Sequence, residues 1–280
     1  MSGGVDLHSH TTASDGSLSA RELVREAVKH GVRVLAITDH DSTEGLADAL
    51  DEASKHPPLT IVPGIEINTD VDGGEIHILG YFLRYGEEWF QAFLREQREE
   101  RVRRVYRIAD RLAELGMPID PQEVFTLVKE GSAGRPHVAQ VMVNRGYVKS
   151  IRQAFDKYLR TGGPGHVPRK KLAPSEAVAI IRRVGGVPVL AHPGLADNDD
   201  LIPGLVEAGL MGIECYYHEH SAAQTAAYLQ MCKEWGLVAT GGSDYHGPHL
   251  GRPNPLGSPP VPLSAYEALL AKTREIGSSA

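Results

Sequence analysis

Six of the thirteen histidines recur in one setting, beside carboxylates where apolar runs end. The first case is Val5-Asp6-Leu7-His8-Ser9-His10. Val5 and Leu7 share one face of a strand and Asp6 points the other way, so His8 and His10 also share a face as the strand gives way to Thr11–Gly16. Two adjacent imidazoles can grip one ion, and Asp15 follows within a loop's reach. His40, Glu66, His192, Asp244 and His246 likewise fall at or just past strand ends, and His77 lies inside an alternating run. Any one of these is unremarkable, since a lone histidine at a strand end is usually a hydrogen-bonded loop residue. Their joint recurrence points to a metal centre. Imidazole with carboxylate suits zinc, manganese or iron, and no thiolate pattern accompanies them.

Neighbouring groups have plainer readings. Asp41 reads best as a helix cap, and Asp39 serves equally as a ligand or as the group that orients a histidine. His30 and His56 lie on polar helix faces. His166, His220 and His249 read as solvated loop residues.

The elements that must carry these groups alternate. Ser19-Ala20-Arg21-Glu22 is a capping box opening a helix to about His30, with Leu23, Ala27 and Val28 on its buried face and Gly31 at its end. Val32–Thr38 and Leu59–Val62 read as strands buried on both sides, separated by a helix running toward Lys55, and Glu75–Phe82 as an alternating strand. After an interruption the rhythm resumes. A helix capped by Ser175 precedes a strand at Val187–Ala191. A helix near Leu201–Ala208 leads to a strand through Glu214. A helix over Ser221–Trp235 leads to the last strand at Leu237–Thr240, and a final helix follows Pro262. Such alternation predicts a parallel α/β sheet or barrel, whose active groups gather at the C-terminal ends of the strands.

The interruption, residues 95–171, reads as a helical insert. Glu87–Leu115 is one long helix with Phe90, Phe93, Val102, Val105, Ala109 and Leu112 toward a core. Shorter helices follow at Pro121–Glu130, Pro136–Arg145 and Ile151–Leu159, then a glycine-rich loop at Gly162–Gly165. The insert carries 17 Lys+Arg against 9 Asp+Glu, a net +8, while the remainder carries 12 against 27, a net −15. Glu100 and Arg104 are placed to pair on the solvent face. Arg103, Arg107 and Arg111 form a stripe with Glu99 above it, and Lys149, Arg152, Arg169, Lys170 and Lys171 add charge.

Hydrophobic content of 41% and charged content of 23% are ordinary for a globular protein. No apolar run is long enough to cross a membrane, and the strand begins too early for a signal peptide. Cys215 and Cys232 suggest no disulfide scaffold, so a reducing cytoplasm is expected, and neither sits in a C-x-x-C that would mark a cysteine metal site. No motif for reading DNA sequence is present.

Taken in order, His8-Ser9-His10, Asp15-Gly16, Thr38-Asp39-His40, Pro63-Gly64-Ile65-Glu66, His77-Ile78-Leu79-Gly80, Ala191-His192-Pro193 and Gly242-Ser243-Asp244-Tyr245-His246 resemble the dispersed motifs of the PHP (polymerase and histidinol phosphatase) family of metal-dependent phosphoesterases. Gly134-Arg135-Pro136-His137 resembles the subgroup that cleaves nucleoside 3′,5′-bisphosphates and the 5′ ends of short RNAs. The resemblance implies a distorted (β/α)7 barrel, here 1–94 and 172–280, with the insert 95–171 covering the site. It implies two or three divalent ions, manganese first, with iron or zinc able to use the same ligands. His8, His10, Glu66 and Asp244 would hold one ion, Glu66, His77 and His192 a second, and Asp15, His40 and His246 a third.

Three divalent ions against Asp15, Glu66 and Asp244 leave roughly +3, suited to a phosphate dianion and a hydroxide. A water bridging two ions is acidified enough to attack phosphorus. Arg135 and His137 are expected to hold phosphate, and His218 to steady it or protonate the leaving oxygen. The expected partners are therefore a nucleotide or short RNA, and phosphate. The alternatives are a small-metabolite phosphatase, such as one for histidinol phosphate, and a metal-binding PHP module without catalysis. The basic insert argues against the first and the full ligand set against the second.

Overall fold

The computed structural model describes residues 4–71, 74–128, 133–168, 172–196, 198–248 and 254–277. Seven strands, β1 (Gly4–Asp6), β2 (Val32–Ile37), β3 (Thr60–Val71), β4 (Gly74–Tyr81), β5 (Val187–Leu190), β6 (Gly212–Tyr216) and β7 (Val238–Gly241), lie side by side in chain order. β1, β2 and β3 are mutually parallel, as are β5, β6 and β7. β4 is antiparallel to both of its neighbours, which corrects the expectation of an all-parallel sheet. The reason is length. β3 runs on to Val71, leaving only two residues before β4 begins, and a parallel strand needs a crossover of a dozen residues or more.

β1 ends at Asp6, short of the expected His10, yet the chain beyond it closes the sheet. Leu7 N donates to Gly241 O at 3.1 Å, Asp244 N to His8 O at 2.9 Å and His10 N to Tyr245 O at 2.9 Å. The first and last strands thus join and the sheet becomes a distorted barrel. The backbones meet so closely that a Cβ at Gly242 would sit 2.4 Å from His8 N. Asp6 pins the seam: its buried carboxylate accepts from Ser243 N (2.9 Å), Ser243 Oγ (2.6 Å), Gly257 N (2.8 Å) and His8 N (3.3 Å).

The capping box forms as expected at the start of α1 (Ala20–Lys29), Ser19 receiving Glu22 N and Glu22 receiving Ser19 N. Its buried stripe is Ala20, Leu23, Val24 and Ala27; Val28 is 39% exposed, one position off the face assigned to it. α2 (Leu46–Ala53) has no side-chain cap, so Asp41 is not its cap. α7 (Pro174–Arg183) is capped by Glu176 accepting from Ala173 N at 2.7 Å, not by Ser175. α8 (Ile202–Glu207), α9 (Ala222–Trp235) and α10 (Leu263–Gly277) complete the barrel's helices.

Between β4 and α7 lie α3 (Glu88–Glu114), α4 (Pro121–Leu127), α5 (Arg135–Asn144), α6 (Ile151–Ala154) and a π-helical turn at Phe155–Leu159. α3 passes from one core to another: Phe90 and Leu94 pack with barrel residues, while Val105, Ile108, Ala109 and Leu112 pack with α4, α5 and the π turn. Where it crosses, the inward positions are Arg101 and Arg104, and Val102, expected inside, is 37% exposed. Arg104 therefore does not pair with Glu100. It turns in to Glu75, and Glu100 takes Arg103 at 3.0 Å and Arg107. Arg169, Lys170, Lys171 and His249 lie outside the described residues.

Replacing Asp6 by Ala leaves four donors unmet at the barrel seam and should cost about 3–5 kcal/mol of stability. Urea unfolding should show a lower midpoint with an unchanged slope.

Candidate metal centre

The nine sequence-selected ligands come from both halves of the barrel, and the closed seam brings them to one mouth. Glu66, in mid-β3 rather than at a strand end, sits among them. Its two carboxylate oxygens face different partners. Oε1 lies 2.8 Å from His77 Nδ1 and 3.1 Å from His192 Nε2. Oε2 lies 3.2 Å from His8 Nε2, 3.2 Å from His10 Nε2 and 3.1 Å from His40 Nδ1. Asp244 Oδ1 is 3.2 Å from His10 Nε2 and 3.5 Å from His8 Nε2. Asp15 Oδ1 is 3.2 Å from His246 Nε2, and its Oδ2 is 3.8 Å from His40 Nε2. Among the described residues, His10, Asp15, His40 and His246, then His8, His10 and Glu66, and then His40, Glu66 and His77, each bring ligand atoms close enough to share a cation.

The residues fit such cations on physical grounds. His8 Nε2 and His10 Nε2 point at each other across 3.1 Å, and Glu66 Oε2 is buried without a hydrogen-bond donor. Converging lone pairs around a buried carboxylate call for positive charge at their focus. The titration of the same groups says so too. Burial pulls His8 down, but Glu214, Glu66 and Asp244 outweigh it and hold the imidazole well above its ordinary range. For His10 burial is again outweighed, by Asp244, Glu66 and Asp15, and it rises to about 10. His40 is the exception: burial dominates and lowers it to about 3. Burial would raise Glu66 and Asp15, yet the surrounding imidazoles hold both well below the usual carboxylate range.

A further set of groups, unforeseen from sequence, aims the ligands. Glu214 Oε1 takes His8 Nδ1 at 3.0 Å, which turns Nε2 to the centre, and its Oε2 accepts from His192 N at 2.8 Å. The signal was present, since Glu214 follows an apolar residue inside β6 as Glu66 does inside β3. Tyr217 donates to Asp244 Oδ2 at 3.1 Å, and Asn68 Nδ2 lies 3.1 Å from His40 Nδ1. Asp39 meets no histidine directly, but it holds Ser14, whose Oγ lies 3.5 Å from His10 Nδ1. It accepts from Thr11 N, Thr11 Oγ1 and Ser14 Oγ, each at 2.7 Å, and so fixes the loop that carries Asp15. Three non-glycine residues at or beside the centre, the buried Asp41 (φ 49°) and Asp244 (φ 51°) and the half-buried His192 (φ 26°), have positive φ, strain typical of functional positions.

A cavity of about 220 Å3 opens onto these ligands and is walled on the far side by Arg101, Arg104 and Arg135. Glu75 sits between two of them. Arg104 donates both Nη groups to its Oε1 at 3.0 Å, Arg135 pairs with its Oε2, and against the cost of burial the two arginines lower Glu75 to about 2. His137 lies elsewhere: its Nδ1 accepts from Gly134 N at 3.1 Å, and it lines a separate recess of about 180 Å3 behind Asp15. His218 does not line the main cavity. Its ring is tilted 52° to that of Tyr217 with centroids 4.5 Å apart, and Asn254 Nδ2 is 2.7 Å from its Nε2. His220, expected to be solvated, accepts from Gly194 N at 3.2 Å and meets Cys215 O at 3.1 Å. His166 is half-buried rather than solvated.

A closed α/β sheet with imidazoles and carboxylates clustered at one mouth has the build of a metal-dependent hydrolase. The PHP domain model matches residues 6–167, and the chain belongs to that family. It is 35% identical over 249 residues to the 5'-3' exoribonuclease Rnm of Escherichia coli, covering 87% of this chain and 85% of that one. It is 34% identical to a phosphoribosyl 1,2-cyclic phosphate 1,2-diphosphodiesterase of Eggerthella lenta, covering 88% and 97%. It is 32% identical to a 3',5'-nucleoside bisphosphate phosphatase of Chromobacterium violaceum, covering 87% and 87%. A crystal structure from Bifidobacterium adolescentis, of a protein provisionally described as a metal-dependent phosphoesterase, superposes with a TM-score of 0.87 at 30% identity over 97% of each chain.

Because His8 and His10 hold protons near neutral pH when no metal is present, loading metal-free protein with Mn should release a proton from each. Apparent affinity should then fall as pH is lowered; calorimetry in buffers of different ionisation enthalpy measures both. Glu66→Gln removes the charge shared by both sides of the centre and should lose metal, with kcat falling by roughly two orders or more. His30→Ala, on the exposed face of α1, should change neither; elemental analysis and steady-state kinetics read the difference.

Proposed function

We propose that the protein is a metal-dependent phosphoesterase acting on nucleotides. It would remove the 3′-phosphate of nucleoside 3′,5′-bisphosphates, hydrolyse the 5′ ends of short RNA, or do both. The observation that carries this reading is one cavity with a two-sided Glu66 on its floor and three guanidiniums in its wall. His8, His10, Glu66 and Asp244 would hold one divalent ion, Glu66, His77 and His192 a second, and Asp15, His40 and His246 a third, manganese being the first choice. Bound there, such ions supply an acidified water as nucleophile and neutralise charge on phosphoryl oxygens.

The chain's own groups do the rest. Glu214 and Asn68 keep the imidazoles aimed. The basic segment 95–171 acts as a roof that excludes bulk water. Arg104 and Arg135 share one carboxylate, so together they keep one net positive charge for a second phosphate. On the Asp244 side, His218 is the group to test for delivering a proton to the leaving oxygen. The relatives differ in substrate, which is why a wall of arginines, more than overall likeness, supports a nucleotide with two phosphates. No helix among the described residues is long and apolar enough to cross a membrane. The two thiols, 3.6 Å apart and unbridged, suit a cytoplasmic place of work.

With Mn, a panel of a nucleoside 3′,5′-bisphosphate, short 5′-phosphorylated RNA, a ribose 1,2-cyclic phosphate, histidinol phosphate and an aryl phosphate should show highest kcat/KM on one of the first two. Preference for histidinol phosphate would favour the small-metabolite reading, and no turnover of any ester would favour a non-catalytic module. Arg135→Ala should raise KM roughly tenfold or more for the bisphosphate and little for the aryl phosphate. Salt should weaken the preference only as far as it screens the exposed part of that attraction.

A further inference from the structure

The three arginines of the cavity wall are not equivalent. Arg104 and Arg135 direct their guanidiniums to Glu75, and Arg104 also donates from Nε to Val167 O at 2.8 Å. Arg101 is engaged on one edge alone. Its Nε donates to Asp41 Oδ2 at 2.8 Å, its side chain is 10% exposed, and its Nη2 is buried with no hydrogen-bond partner. A buried guanidinium nitrogen with nothing to donate to is unfavourable unless an acceptor arrives. Arg101 lines the cavity that also holds Asp15, His40 and Glu66, and its Nη2 lies just beneath that lining.

What holds Arg101 there is itself tied to the metal centre. Asp41 accepts from Asn68 N at 3.3 Å and Asn68 Nδ2 at 3.2 Å, and the same Nδ2 lies 3.1 Å from His40 Nδ1. The run Arg101–Asp41–Asn68–His40 therefore fixes a guanidinium in register with a candidate metal ligand. We infer that Arg101 forms a phosphoryl-oxygen subsite, its free Nη2 edge donating to the phosphate that reacts rather than to a second phosphate of the substrate. This rests on the phosphoesterase reading. The reacting phosphate is the fitting ligand because its oxygens are acceptors only and must lie over the ligands that Arg101 adjoins. The second phosphate falls to the Arg104–Glu75–Arg135 group beside His77.

The test uses Mn-loaded wild type, Arg101→Gln and Arg101→Lys. Lysine keeps a charge for Asp41, but its single ammonium cannot serve Asp41 and the cavity together; it decides the matter if the glutamine variant does not fold. Inorganic phosphate binding is followed by calorimetry, metal content by elemental analysis, and kcat/KM on both an aryl phosphate and a nucleoside bisphosphate. Unchanged metal content, phosphate affinity weakened about tenfold or more, and equal proportional losses on the two substrates are expected. Unchanged phosphate affinity in a folded, metal-loaded variant would overturn the inference, as would wild type that binds no phosphate. A loss confined to the bisphosphate would also overturn it, by moving Arg101 to the second phosphate. If wild type binds phosphate but hydrolyses no ester, the proposed function fails while the binding arm still decides on Arg101.

Discussion

A fully buried carboxylate with imidazoles on both sides is the constraint that the rest of the structure serves. Glu66 is 1% exposed, and its two oxygens look toward different groups of histidines. Such a charge is tolerated only where opposite charge meets it. The fold supplies that from several directions at once: His8 and His10 from beyond β1, His40 from beyond β2, His77 from the adjacent strand and His192 from beyond β5. The antiparallel turn of β4 has a place in this scheme. It sets His77 next to β3, against the same oxygen of Glu66 that His192 meets from beyond β5. The seam between the two ends of the sheet brings in Asp244 and His246. Asp6, buried and chemically idle, holds that seam.

The segment above the barrel obeys the same rule. Its arithmetic of +8 suggests a free basic surface. The structure divides that charge in two. On the outside, Arg103, Arg107 and Arg111 meet Glu100 and Glu114. On the inside, Arg101, Arg104 and Arg135 meet Asp41 and Glu75. Among the described basic residues, Arg101, Arg104 and Arg135 line the cavity that opens onto the ligands, and buried pairs of this kind are little affected by salt.

Much of this was legible in the sequence, and the gaps have physical causes. The order of the strands, the capping box at Ser19 and the recurrence of the nine histidines and carboxylates gathered at one mouth could be read because they follow local patterns. The direction of β4 could not be read from periodicity, which is the same for both directions; the short link after Val71 was the available clue. Val28 and Val102 were misplaced because a helix face is known from sequence only to within a residue or so. Arg104 was assigned to Glu100 because helical neighbours are visible in sequence. Its true partner, Glu75, lies 29 positions away and is brought near by the barrel. Asp41 was read as a cap because Asp before a helix usually is one, and nothing local announces a buried arginine 60 positions on. Glu214 carried the same mark as Glu66, a carboxylate after an apolar residue inside a strand, and was passed over for want of a histidine beside it.

α3 gives the molecule a mechanical property. One continuous helix is anchored at its start in the barrel's core and at its end in the core of the roof, and ion pairs bolt its middle to the rim. A roof carried on such a beam cannot swing as a flap without bending the helix or unbolting buried charges. Traffic must use fixed openings instead. A second cavity, of about 380 Å3, adjoins the first past His77 and His192, with Leu195 half-exposed at its edge. Access to the ligands would then be set by the width of these openings, a matter of architecture independent of how tightly any ligand is held.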